Sequence, residues 1–393
     1  MPHRLLQILL HVGFFVSGIT TVIIGQFLPI LATKFSLDDA QTGLFFFAQF
    51  SGSLIGTLLT NWFGKRRKFV AASVFGCLAM AIGLSFLNFN SLSIVLLGFL
   101  INGVGIGLTL PAINMLILEL NPTRTTSALS ILNFFWGVGA IVCAPFVGLF
   151  ANETDIFKPT IILFVALIAI GAAIAFQPKD FEKKSHSDEE NKESKTPIWS
   201  NPIAWAIAFF NFVHVGFESG MGGWLLFYTV RLAGKDAENL FLPITLYFVF
   251  FVVGRGVAPI FFRFVNENQM LILNLLTILG GMGVLLFAKD ILVLSVGASI
   301  AGFGTSSIFP TNVSRFTKTF GASASRRATP LFICGTLGAA STTWGIGFLS
   351  NQFSDLRIGM FTLLASVLVL IVLQIVLSLR SEPSAVADGI SVK

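Results

Sequence analysis

Apolar residues occur along this chain in blocks of about 20 or more, separated by short polar breaks, which is the length a helix needs to cross the hydrocarbon core of a bilayer. Such blocks predict twelve membrane helices, at 8–33, 40–62, 68–87, 91–119, 127–150, 158–177, 199–230, 239–264, 269–288, 291–316, 327–350 and 356–379. One break differs in kind. Residues 178–197 are polar, mixed in charge and without an apolar period. They read as a flexible linker. The predicted organisation is a six-helix bundle over 1–177, a cytoplasmic linker over 178–198, and a second six-helix bundle with a short cytoplasmic tail over 199–393.

The two halves repeat. At an offset of 199, Gly103, Gly105 and Pro111 fall on Gly302, Gly304 and Pro310, while Gly139, Gly148 and Asn152 fall on Gly338, Gly347 and Asn351. One offset shared by two helix pairs points to duplicated six-helix halves, a transporter design. The paired Gly/Pro segments 103–111 and 302–310 are either close-packing sites or hinges.

Charge supports the same count. With the N-terminus inside, the inner loops and ends hold 18 Lys and Arg residues against 6 outside. Positive residues favour the cytoplasmic side, so both termini are expected in the cytoplasm, and the protein in the cell (inner) membrane. Composition agrees: 54% of the 393 residues are hydrophobic and 11% charged, against about 25% charged in a soluble domain. The net charge of +6 shows no basic patch with interleaved aromatics, so nucleic acid is not an expected partner. Cys77, Cys143 and Cys334 lie in apolar stretches and read as small buried hydrophobes. No His/Cys cluster has metal-ligand spacing, and no nucleotide-binding motif suggests a primary pump. No cofactor and no enzymatic chemistry are expected. The first apolar run follows no leader with a small-residue cleavage site and is expected to remain as a helix.

A charge near the bilayer centre is costly, so it serves a function or has a partner. Two qualify. Glu218 is the only acid between Glu193 and Asp236, and Arg255 lies in the inner half of the eighth span. They could pair to hold two helices together, or act in substrate binding, proton coupling or gating. His214 and Asn211 share a helix face with Glu218. Gln26, Gln49, Asn102, Asn114, Asn133 and Asn312 add amides within the spans. Singly an amide is often interhelical glue; as a set, amides suit sugar hydroxyls, because each both donates and accepts.

Four regions resemble the major facilitator superfamily over essentially the whole chain. Asn61-Trp62-Phe63-Gly64-Lys65-Arg66-Arg67 is similar to the superfamily's G-x-x-x-D-R-x-G-R-R loop, with Asn61 and Trp62 in place of the acid and the first arginine. The fourth span has Gly103-Val104-Gly105-Ile106-Gly107, Pro111 and Asn114. The seventh has Gly216-Phe217-Glu218 through Gly223-Trp224-Leu225. The eighth and tenth have Gly254-Arg255, Gly302-Phe303-Gly304 and Phe309-Pro310. The seventh and eighth resemble the fucose permease and sugar–proton symporter branch. Thr109 stands where that permease has a glutamate in the fourth span, and Arg4 to Lys34 holds no acid to match its first-span aspartate.

The resemblance implies an all-α membrane protein of two pseudo-symmetric bundles around a central cavity, working by alternating access. Trp136, Trp224 and Trp344 would stand within or near cavity-lining helices, where an indole suits the apolar face of a sugar ring. The expected cargo is a monosaccharide or similar polar molecule, with protons as the expected co-substrate while export, uniport and sodium coupling stay open, and a monomer in the lipid bilayer as the working unit. An efflux carrier for amphipathic drugs or lipids is the second reading, favoured by the 43 phenylalanines. A receptor or scaffold that moves nothing is the third, disfavoured by the lack of a folded extramembrane domain.

Overall fold

The computed structural model describes residues 4–121, 125–152, 155–177, 198–320 and 328–380. Nearly all of the predicted linker, together with Arg124, Arg326, Arg327 and Lys393, lies outside the described residues. The helices are α1 (Arg4–Phe35), α2 (Asp39–Lys65), α3 (Phe69–Phe86), α4 (Leu92–Leu120), α5 (Thr125–Phe150), α6 (Phe157–Ala175), α7 (Pro202–Ala233), α8 (Leu242–Phe261), α9 (Glu267–Leu286), α10 (Ile291–Thr305), α11 (Ile308–Phe320), α12 (Thr329–Phe353) and α13 (Leu356–Arg380). A 3-10 turn, Ile198–Ser200, precedes α7.

Ends differ from the predicted blocks by a few residues, because caps are polar and apolarity does not mark them. Asp38 and Asn266 each close a capping box, with Gln41 and Gln269, at the starts of α2 and α9. Asn201 caps α7, with Pro202 at its first position.

Among the described residues, eleven helices are long and apolar enough to cross a membrane, counting Ile291–Phe320 as one stretch. The twelfth predicted span is α7, 32 residues long and outside that set. Its polar residues lower its hydropathy, and its position explains how it tolerates them. It packs against α1, α11, α12 and α13, so neighbouring helices rather than lipid cover much of its surface.

The predicted tenth span holds as one apolar stretch, Ile291–Phe320, with a short interruption in its helical path. Residues 306–307 form a turn between α10 and α11, and Asn274 on α9 donates to the Ser307 hydroxyl at 2.6 Å. By contrast α4, which carries the repeat-related Pro111, is continuous.

Helices α1–α6 pack chiefly on one another, as do α7–α13, and the main crossings between the sets are α2 with α12, α1 with α7, and α5 with α8. The repeated glycines do equivalent work in the two sets. A side chain at Gly103 would strike the backbone carbonyl of Gln49 on α2, and one at Gly302 the carbonyl of Tyr247 on α8. Gly139 and Gly338 sit in the same way against Phe15 of α1 and Phe212 of α7. Helices without an aqueous driving force associate through such close backbone approach.

Gly103→Val is therefore expected to destabilise the protein by about 1–3 kcal/mol or more through overpacking. Gly283→Val is the control, since nothing stands within 4 Å of that position. Thermal unfolding in detergent checks this: equal melting temperatures for the two variants would contradict the packing argument.

Candidate functional site

The buried chemistry concentrates on α7 and α8. His214 and Glu218 sit one turn apart, and His214 Nε2 lies 3.7 Å from Glu218 Oε2. The histidine is fully buried and neither ring nitrogen has a hydrogen bond, whereas the Glu218 side chain is 22% exposed. Asn211, one turn below His214, donates Nδ2 to the carbonyl of Leu331 on α12 at 2.9 Å.

Tyr247, Phe251 and Arg255 form a stripe on α8 at four-residue spacing. The Tyr247 and Phe251 rings stack at 6.3 Å, and the Arg255 guanidinium lies 4.1 Å over the Phe251 ring. Arg255 Nε donates to the carbonyl of Ser306, at the interruption in the tenth span, at 3.1 Å. Glu218 and Arg255 stand on α7 and α8, which pack on each other, and the two side chains form no contact ion pair. The Tyr247 hydroxyl is buried beside Thr305 with no hydrogen bond of ordinary geometry. Sequence reasoning missed this tyrosine. Its signal was scarcity, since the chain has two tyrosines, and both hydroxyls are buried without a partner.

The remaining candidates divide. Gln49 donates to Thr21 O at 3.1 Å and accepts from Asn102 at 3.3 Å, tying α1, α2 and α4. Asn312 donates to Ile207 O on α7 at 3.2 Å. Asn102, Asn211 and Asn312 each keep a buried side-chain oxygen without a donor. Gln26 is buried with both amide atoms unbonded, and the Trp136 indole N–H is likewise buried and unbonded. Asn114 and Asn133 donate to carbonyls of their own helices, Leu110 and Leu129, and Asn133 is exposed. Trp224 is fully buried, its N–H bonded to Thr343 O at 2.9 Å and its ring packed against Phe46. Trp344 is 39% exposed and stacks on Phe348. The structure thus gathers Asn211, His214, Glu218 and Arg255 around one region, whereas Asn133 and Trp224 are held elsewhere, one on the surface and one in the packing.

A second constellation lies at the Phe35 end of α1, here termed the far end. Asp39, in the first turn of α2, accepts from Arg231 Nη2 at 2.6 Å and from the Ser350 hydroxyl. Arg231 closes α7 and Ser350 lies near the end of α12, so one carboxylate ties α2 to two helices of the other set. Sequence reading missed Asp39, because an acid after a cap is already explained as a favourable helix start.

Known proteins resemble the chain over most of its length. Sodium-dependent glucose transporter 1 of Xenopus laevis is 25% identical over 209 residues, covering 52% of this chain and 41% of that protein. Sodium-dependent glucose transporter 1A of Mus musculus is 21% identical, covering 91% of this chain and 92% of the relative. The glucose/mannose transporter GlcP of Bacillus subtilis (strain 168) is 24% identical, covering 96% of each. Among solved structures, the E. coli fucose:proton symporter FucP superposes with a TM-score of 0.66 at 18% identity, covering 98% of this chain and 100% of that one. The family profile described as the Major Facilitator Superfamily spans residues 10–340. The chain therefore belongs to the Major Facilitator Superfamily and is an integral membrane transporter.

Proposed function

We propose that this protein is a secondary carrier for a monosaccharide, with glucose the first candidate, and that Glu218 couples transport to protons. The observation that carries this is the interior constellation of Glu218, His214 and Arg255, in a chain whose interior also leaves Gln26, the Trp136 indole N–H and one amide oxygen each of Asn102, Asn211 and Asn312 without a hydrogen bond. Buried polar groups left unbonded cost about 1–3 kcal/mol each. A site with both donors and acceptors in excess suits a ligand rich in hydroxyls. The names of the relatives, glucose and glucose/mannose transporters, support the same cargo.

Sugar contacts are assigned to Gln26, Gln49, Asn114, Asn133, Trp136, Asn211, His214, Glu218, Trp224, Asn312 and Trp344, with Asn133 and Trp224 the weakest members for the positions just described. Coupling and gating are assigned to Glu218 and Arg255. The frame is twelve spans in two six-helix bundles, 1–177 and 199–393, joined by the 178–198 linker. The equivalent glycine contacts in the two sets support that division. The working unit is a monomer in the cell (inner) membrane with both termini in the cytoplasm. Sodium coupling is the second reading, favoured by the relatives named as sodium-dependent.

Purified protein in proteoliposomes, given labelled glucose under an imposed proton or sodium gradient, tests this. Accumulation with protons alone is the expected result. Accumulation only with sodium would move the coupling to the second reading. Thermal stabilisation by hydrophobic cations and by no sugar would replace the cargo with an amphipathic one.

A further inference from the structure

Helix α2 ends and α3 begins at one tight turn. The Arg67 N–H donates to the Gly64 carbonyl at 2.9 Å and the Lys68 N–H to the Phe63 carbonyl at 3.0 Å, a double closure common at helix ends. Arg67 takes the left-handed position of that closure, with φ of 52°, where glycine is the usual residue. Lys65, Arg66, Arg67 and Lys68 are thus held on a short, hydrogen-bonded frame. Their charge has no answer inside the protein. Residues 40–118 hold no acid, and among the described residues none of the four cations forms an ion pair. The equivalent turn of the second half does without them. At the same offset of 199 they fall on Phe264, Val265, Asn266 and Glu267, so joining two such helices does not require cations.

Two of the cations border a cavity of about 620 Å³, lined by Trp62, Phe63, Arg66, Lys68, Ala71 and Phe75. That is an ordinary size for a small-molecule cleft. Its walls are of two kinds. Trp62 and Phe75 are aromatic and about half exposed, and the Phe63 ring joins them, 5.0 Å from the one and 5.9 Å from the other. The Arg66 guanidinium lies 3.7 Å over the Trp62 ring, with no acceptor for its N–H groups among the described residues. Because α2 and α3 are both long and apolar enough to span, the turn between them lies at a membrane surface, where tryptophan concentrates. A signal for loop orientation accounts for positive charge at such a turn. It does not account for an arginine seated on an indole beside a half-apolar cavity.

We propose that this cavity binds the headgroup of an anionic phospholipid. The phosphodiester lies between Arg66 and Lys68, where the planar guanidinium can donate two parallel N–H bonds to phosphate oxygens. The first carbons of the acyl chains lie over Trp62 and Phe75. Clustered Lys and Arg at the membrane surface draw anionic lipid by charge alone; the aromatic walls turn that attraction into a place. A free phosphate would answer the cations and leave the aromatic walls uncovered. A lipid with a choline headgroup would cover the walls but bring a cation to the cations. The site goes beyond the carrier reading and is independent of the cargo.

The test uses purified protein in dodecylmaltoside micelles, titrated with dioleoylphosphatidylglycerol, dioleoylphosphatidylcholine or inorganic phosphate. Thermal shift gives the apparent affinity, and native mass spectrometry counts the lipid retained. Micelles have no inside and outside, so the orienting role of the cations plays no part. Phosphatidylglycerol is expected to bind about tenfold more tightly than phosphatidylcholine, and phosphate not to stabilise at all. The double variant Arg66→Gln with Lys68→Gln should lose that tenfold preference. Arg263→Gln, which removes an exposed cation from the α8–α9 turn, should change phosphatidylglycerol affinity by less than about twofold. Trp62→Ala keeps every charge, yet should weaken phosphatidylglycerol by about fivefold through loss of the ring under Arg66 and the acyl wall. Equal binding of phosphatidylcholine would mean unselective lipid contact and overturns the proposal. Stabilisation by phosphate alone would make this a site for a free anion and overturns it too. Equal losses in Arg263→Gln and the double variant, or none in Trp62→Ala, would reduce it to diffuse attraction. If the double variant fails to fold, Trp62→Ala decides: unchanged phosphatidylglycerol affinity there overturns the site.

Discussion

Glu218→Gln is expected to abolish gradient-driven accumulation of substrate while leaving exchange of substrate across the membrane in place. Glutamine fills the same volume and can still bond a hydroxyl, but it cannot carry a proton. The geometry limits substitutes for it. His214, one turn away, is sealed from solvent, whereas the glutamate side chain is partly exposed. Arg255 stays charged throughout any realistic cycle. One pH unit is worth about 1.4 kcal/mol, so a carrier moving one proton per sugar concentrates its cargo about tenfold across that gradient. The variant should bring this ratio to about one. Parallel measurement of counterflow in the same vesicles separates lost coupling from lost binding. Undiminished accumulation by Glu218→Gln would remove the residue from the coupling mechanism.

Much of this site was legible because charge in a membrane interior is rare and expensive. Glu218 and Arg255 stand out in the sequence for that reason, and the helical period brings in His214. The apolar blocks were legible on the same physical ground, eleven matching one helix to within a few residues and the tenth covering α10 and α11. The two-residue turn within the tenth span was not. Pro111 and Pro310 look alike in sequence, yet only the second follows an interruption, and a different donor meets each freed carbonyl. That donor comes from another helix, Thr60 in one case and Arg255 in the other. No local pattern encodes it. The amides were equally ambiguous: Asn114 and Asn133 look like site residues by type, yet each donates to its own helix. Tyr247 and Asp39 escaped for opposite reasons, the first because an apolar ring suits any packed helix, the second because its place already had an explanation.

Asp39 carries the other large prediction. The structure is closed at the far end, where Asp39 joins Arg231 and Ser350, and where Gly148 of α5 meets the ring of Phe241 just before α8. In the proposed alternating-access cycle this end parts, and the Asp39 bonds cross the parting line. They are therefore present in one state and absent from the other, which is the condition for a contact to bias an equilibrium. The Asp39 side chain is 7% exposed but Arg231 is 49% exposed, so solvent screens the pair from one side. The interaction then falls between a surface pair and a buried one, about 1–2 kcal/mol. Asp39→Asn keeps the shape and an acceptor for Ser350 while removing the charge that Arg231 meets. The ratio of closed to open far ends should fall by about 5- to 30-fold. Spin labels at the exposed Lys158 and Lys289 positions, with Cys334 replaced and Cys77 and Cys143 buried, report the separation across that end. The variant should show a larger long-distance population than the parent in the absence of sugar. The same distance distribution in both would mean that the packing of α2 on α12, and not the ion pair, keeps the far end shut. In that case Gly347, where any side chain would strike the Asp39 carbonyl, becomes the residue whose enlargement should open it.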